Sequence, residues 1–140
     1  MIARAWLCLS IIVCGLALRR YGLSLGLPPS IVKYGGSILW GTMVFFLVAI
    51  AASSLSRRSI ASIAALVAVG AELFRLVHTP WLDAFRLTLA GALLLGRVFS
   101  LWNTLAYGVG ILLGMLLDRF AVSVFARAKL SAPDASHSAS

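Results

Sequence analysis

From Gly35 to Leu55 the chain carries no ionisable side chain. At a helical rise of 1.5 Å per residue, a stretch of that length reaches across the hydrocarbon core of a bilayer. A segment of this kind either spans a membrane or lies in the middle of a large soluble core. Composition decides between the two. The chain has 140 residues, 61% of them hydrophobic and only 11% charged. A soluble domain needs roughly a quarter of its residues charged to dress its surface. Fold class is therefore read as all-α: an integral membrane bundle of about four transmembrane helices plus one short re-entrant or interfacial helix.

The remaining runs follow the same logic. Ile2 to Leu18 is a first span, closed by Arg19-Arg20. Arg4 ahead of an apolar run resembles a secretory leader. However, Arg19 and Arg20 stand where a cleavage site needs small residues, and Val13 before Cys14 spoils a lipoprotein-type site. The run is read as a retained helix. Pro28-Pro29 forbids a continuous helix through the connection that follows. Ser59 to Val77 is a third span, carrying Glu72 and Arg75 in its last turns. Thr79 is then placed to cap a new helix, with Pro80 at its first position, where a missing N–H costs nothing. That helix, Pro80 to about Leu95, is short for a span and is read as tucked against the bundle; as a fifth span it would put the termini on opposite sides. Leu101 to Leu117 is the last span, capped by Ser100 and extended toward Lys129. Residues 1–129 form one transmembrane domain, and the small polar stretch 130–140 is expected to be disordered.

The formal charge is +8, with the basic residues flanking the apolar runs. That pattern fits helix-end anchors and anionic lipid contacts, and excludes the solvated basic face that nucleic acid needs. Cys8 and Cys14, six apart in one apolar run, share no helix face well and read as packing residues. No metal-ligand spacing, phosphate-cradling loop or cofactor motif occurs, so no cofactor and no metal are expected. Trp6, Trp40, Trp81 and Trp102 are expected at membrane interfaces. The cations tie at six a side when both termini lie inside. The short Arg57-Arg58 loop breaks the tie toward a cytoplasmic N-terminus, in a multi-pass protein of the cell inner membrane.

Ionisable side chains inside apolar runs are costly and point to sites. At 100° per residue, Ala61, Ala65, Ala68, Glu72 and Arg75 fall on one stripe of the third helix. Asn103, Tyr107, Gly110 and Gly114 share a stripe of the last, with Ala106 beside them. Small residues admit a close neighbour, so these two stripes are expected to face each other. Their polar ends would then meet near one membrane surface, together with His78, Asp83 and Arg86. Three readings of Glu72, Arg75, His78, Asp83, Arg86, Asn103 and Tyr107 stay open. The charges can be ion pairs pinning the short helix, a pocket for an anionic headgroup, or an acid–base site using Glu72 with His78. A transporter or flippase component is a further alternative. It needs a path across the bilayer, which a homo-oligomer packed through Ala106, Gly110 and Gly114 would supply.

The segment Ala71-Glu72-Leu73-Phe74-Arg75-Leu76-Val77-His78-Thr79-Pro80-Trp81-Leu82-Asp83-Ala84-Phe85-Arg86 resembles the signature of a bacterial membrane-protein family, domain of unknown function 2809. Lys33 to Trp40, Leu95-Gly96, Trp102-Asn103 and Tyr107 to Gly110 share in the resemblance, which covers about residues 20–118. It implies a topology and no activity. More distantly, the layout is similar to VanZ-like proteins: an acid on one helix, then Arg and Asp, then an acid before a Gly-x-x-x-Gly helix. That likeness implies a cell-envelope role, in glycopeptide (teicoplanin-type) tolerance. Against the family pattern an acid is usual where Ser37 stands, Gln where Arg75 stands and Asp where Asn103 stands. Two acids are lost and one cation is gained, which alters the ligand or the activity and favours an anion.

Overall fold

A computed structural model describes residues 2–88, 91 and 100–130, and of 125–130 the backbone alone. Its helices are α1 (Ile2–Tyr21), α2 (Pro29–Ala51), α3 (Arg57–Phe74), α4 (Pro80–Leu87) and α5 (Leu101–Leu130). Among the described residues there is no strand.

Helix α2 lies at the centre. It packs most extensively on α5, then on α1, and α3 leans on both α2 and α5. Phe45, Phe46, Ala49, Ile60 and Ala64 have no solvent exposure and form the middle of the core. The directions follow from the pairs that meet. Arg4 of α1 reaches the Ala49 carbonyl near the end of α2, so those helices run antiparallel. Ser37 lies against Asn103, Thr42 against Gly110 and Phe45 against Gly114, a nearly constant offset that makes α2 and α5 parallel. Helix α3 runs against both, from Arg57 beside Asp118 to Glu72 beside Ser100.

The bundle therefore has two ends. One holds Arg4, Ala49, Arg57 and Asp118, and the other holds Glu72, Arg75, Ser100 and Asn103. Because α3 finishes and α5 begins at the Glu72 end, the chain between them leaves and returns on one side. Helix α4, at eight residues, is about 12 Å long and does not cross a bilayer.

Three helices, not four, are long and apolar enough to cross a membrane: α1, α2 and the Leu101–Val124 part of α5. Helix α3 falls short because its 18 residues include Arg57, Arg58 and Glu72. The helix expected over Pro80–Leu95 stops at Leu87. Thr88 turns extended (φ −73°, ψ 158°), and its hydroxyl donates to the Phe85 carbonyl at 2.7 Å. Residues 89, 90 and 92–99, with Leu95, Gly96 and Arg97, lie outside the described residues, as does the tail 131–140. Thr79 occupies the N-cap position of α4, but its hydroxyl makes no capping bond and is buried without a partner among the described residues. Helix α2 begins at Pro29 rather than Gly35, because proline suits a first helical position. Trp40 is thereby moved from a helix end to mid-helix, where its ring packs at a tilt against Tyr107, 4.8 Å between centroids.

The small-residue stripes do not face each other. Gly110 and Gly114 are pressed against α2: a Cβ on Gly114 would lie 2.7 Å from Phe45 Cδ1, and one on Gly110 would enter the Ile38 carbonyl. Ala106 is buried on the same helix. At Gly110 and Gly114 that face is filled from within the chain. On α3 the buried line is Ile60, Ala64, Ala68 and Glu72. It keeps Ala68 and Glu72 of the expected stripe but takes Ile60 and Ala64 in place of Ala61 and Ala65, leaving Ala61 half-buried and Ala65 exposed beside a groove.

Candidate functional site

At the Glu72 end the side chains form two clusters. Glu72 is 1% exposed. Its Oε1 accepts the Ser100 backbone N–H at 2.7 Å, tying the last turn of α3 to the start of α5. A free N–H at a helix start is the natural partner of a carboxylate, since both the unpaired donors and the helix dipole favour negative charge there. The other oxygen, Oε2, faces Arg75 Nη1 at 2.6 Å. The two side chains form an ion pair three residues apart. Arg75 Nη2 in turn donates to the Tyr107 hydroxyl at 2.7 Å. The chain Ser100–Glu72–Arg75–Tyr107 thus closes on α5 at both of its ends.

One layer away, the Ser37 hydroxyl donates to its own Lys33 carbonyl at 3.1 Å and approaches Asn103 Oδ1 at 3.4 Å. Asn103 is buried, so α2 and α5 share a neutral polar contact inside their seam.

The second cluster belongs to α4. Arg86 is 3% exposed. Its guanidinium donates to the carbonyls of Phe74 and Val77, each at 2.8 Å, and to Asp83 Oδ1 at 3.1 Å. The last carbonyls of a helix have no partner within it. Arg86 supplies one to the end of α3, which binds α4 beneath it. Its Nε is buried and has no partner among the described residues. His78 Nδ1 lies 3.2 Å from the same Asp83 oxygen, with both side chains substantially exposed.

The seven residues singled out from the sequence therefore fall into these clusters and the seam. Glu72, Arg75 and Tyr107 meet. His78, Asp83 and Arg86 meet. Asn103 pairs with Ser37. Glu72 and His78 are engaged with separate partners. Among the described residues no group of three His, Cys, Asp or Glu side chains is placed to hold a metal ion.

The other end holds a centre that sequence reading missed. Asp118 is fully buried. Arg4 meets it in a two-pronged contact, Nε–Oδ1 at 2.6 Å and Nη2–Oδ2 at 3.1 Å, while Nη1 donates to Ala49 O at 3.0 Å. Arg57 Nε adds a bond to Oδ2 at 2.9 Å. One carboxylate thus joins α1, α3 and α5, and through Arg4 reaches α2. Planar forks of this kind are what guanidinium and carboxylate do best.

A family model described as protein of unknown function (DUF2809) matches residues 27–111, more than half of the chain. The chain belongs to this family. No solved structure matches it. The DUF2809 stretch holds α2, α3, α4 and the first part of α5, and so every residue of the two Glu72-end clusters. Arg4 and Asp118 lie outside it.

Proposed function

We propose that this chain is a multi-pass protein of the cytoplasmic membrane that binds, without catalysing a reaction, an anionic lipid or cell-envelope precursor headgroup at its Glu72 end. The observation that carries this reading is a buried polar layer set between apolar helices at an end rimmed by cations. Glu72, Arg75, Tyr107, Ser37 and Asn103 sit among helices whose other contacts are apolar. Polar groups in such surroundings cost free energy and mark sites by default. Around them stand Arg19, Arg20 and Lys33, all exposed. Beside His78, the described charged side chains at this end include five cations (Arg19, Arg20, Lys33, Arg75, Arg86) and two acids (Glu72, Asp83).

In this reading the cations have separate work. Arg75 and Arg86 are taken up by protein acceptors, so they stiffen the site. Lys33 and Arg20, exposed and with no acid in ion-pair reach among the described residues, are available to meet a phosphate. With Arg57 and Arg58 on the cytoplasmic side, the Glu72 end faces the outer leaflet, where envelope precursors lie. The VanZ-like layout supports a role in the same compartment.

The test is native mass spectrometry of the detergent-extracted chain. One anionic lipid per chain, enriched over its share of the membrane, is the expected result. Retention of zwitterionic and anionic lipids in proportion to the membrane contradicts the proposal.

A second reading, a transporter or flippase component, draws on the ion pairs at both ends of α3. It predicts that the purified chain moves a labelled anionic lipid between leaflets of a vesicle. Vesicles with and without protein giving equal rates would end it.

A further inference from the structure

The surface of the α2–α5 seam carries a groove of about 500 Å³ lined by Tyr34, Trp102, Leu105, Ala106 and Val109. Apart from the tyrosine hydroxyl and the indole N–H, its lining side chains are apolar. Trp102, Leu105 and Val109 are more than half exposed, so the groove opens outward, away from the core. At its α2 edge, Lys33 Nζ stands 5.4 Å from the centroid of the Tyr34 ring. The groove thus runs from an apolar floor at Ala106 toward an aromatic rim with a cation over it.

Its surroundings choose the occupant. The groove opens outward on a seam between two helices long and apolar enough to span a membrane, and its volume of about 500 Å³ gives hydrocarbon chains room to lie along it. The Lys33 ammonium stands at its edge. A free anion would have no use for the apolar floor, and an uncharged chain would have none for the lysine.

We infer that this groove holds the paired hydrocarbon chains of an anionic lipid whose phosphate meets Lys33. The inference rests on the headgroup reading above and narrows its ligand to a two-chain lipid. Ala106 gives the chains room: the methyl side chain at that position sets the depth of the floor, as a longer one would fill it. Tyr34 and Trp102, with apolar rings and polar tips, mark the level where chain gives way to headgroup.

The experiment titrates the purified full-length chain, in detergent, with diacyl phosphatidylglycerol and, separately, with glycerophosphoglycerol, the same headgroup without chains. Binding and mass are read by native mass spectrometry for wild type, Ala106→Phe and Val109→Trp. Wild type should take one diacyl lipid and bind the chainless headgroup far more weakly. Both variants should bind the lipid at least about tenfold less tightly. Val109 is exposed, so Val109→Trp fills the groove from outside and keeps the wild-type melting temperature. It decides the matter if Ala106→Phe fails to fold. Equal lipid binding by wild type and Val109→Trp would overturn the groove and leave the headgroup reading standing. Equal binding of the lipid and the chainless headgroup by wild type would do the same. No binding of either ligand by wild type would overturn both. A dimeric wild type that Val109→Trp turns monomeric would show that a second copy fills the groove.

Discussion

The two ends of this bundle are both tied by arginine–carboxylate contacts, and they are tied differently. At the Asp118 end one carboxylate takes two guanidiniums from helices 114 and 61 residues away in sequence. At the Glu72 end the ion pairs are local: Glu72 with Arg75 and Asp83 with Arg86 are each three residues apart. Contacts between helices there use a backbone N–H, a phenol and a serine hydroxyl instead. In both places an arginine caps the carbonyls of a helix end, Arg4 for α2 and Arg86 for α3. The difference lies in what the carboxylate binds together. Asp118 locks four helices at one point. The Glu72 end is held by several weaker links, which leaves an open groove beside it and an exposed lysine at its rim.

Breaking the lock should have the largest effect. Asp118→Asn leaves Arg4 facing no charge in a mostly buried position, and loss of a buried partner of this kind costs about 3–5 kcal/mol. The low end is expected, because the Arg57 side chain is 41% exposed and regains water. Unfolding in graded sodium dodecyl sulfate measures it, and a change below about 1 kcal/mol would mean that Asp118 is not a lock.

Arg86→Ala should come next. It removes the partner of the Phe74 and Val77 carbonyls and of Asp83, worth about 2–3 kcal/mol where the acceptors stay buried. Limited proteolysis should then cut first between α3 and α4, while the Asp118 end stays protected. Cleavage first at the Arg57 loop would reverse the ranking of the two ends.

Ser37→Ala should have the smallest effect. The contact to Asn103 is long at 3.4 Å and neutral, so about 0.5–1 kcal/mol is expected in the same unfolding assay. A loss as large as that for Arg86→Ala would show that the seam depends on its polar layer rather than on Gly110 and Gly114.

This contrast also explains what could be read from the sequence. Pairs three apart on a helix lie on one face, so Glu72–Arg75 and Asp83–Arg86 follow from spacing alone. Apolar runs and their charged ends give the existence of α1, α2 and α5 and the starts of α1 and α5, but not the Pro29 start or the Ala51 end of α2. Asp118 is invisible by the same rules. It sits beside Arg119 at the end of an apolar run and looks like a solvated helix end, and only the antiparallel return of α1 brings Arg4 to it. The one available signal was a lone acid among many basic helix ends, where a buried charge needs a partner. The partner of the Gly110–Gly114 stripe was misjudged for a related reason. Periodicity gives the face of a helix, not which neighbour covers it, and α2 covers it here. The stop at Leu87 was missed because Thr88 has no helix-breaking signature and ends α4 through a hydroxyl bond to the Phe85 carbonyl.

The claim that the Glu72 end is the ligand end can be tested against its opposite. Lys33 and Arg58 are both exposed cations, one at each end of the bundle. Lipid retention by native mass spectrometry should be compared for wild type, Lys33→Gln and Arg58→Gln. The account predicts that Lys33→Gln loses the bound anionic lipid and that Arg58→Gln keeps it as wild type does. Equal loss from both variants would contradict it, showing attraction to net positive charge with no site at either end.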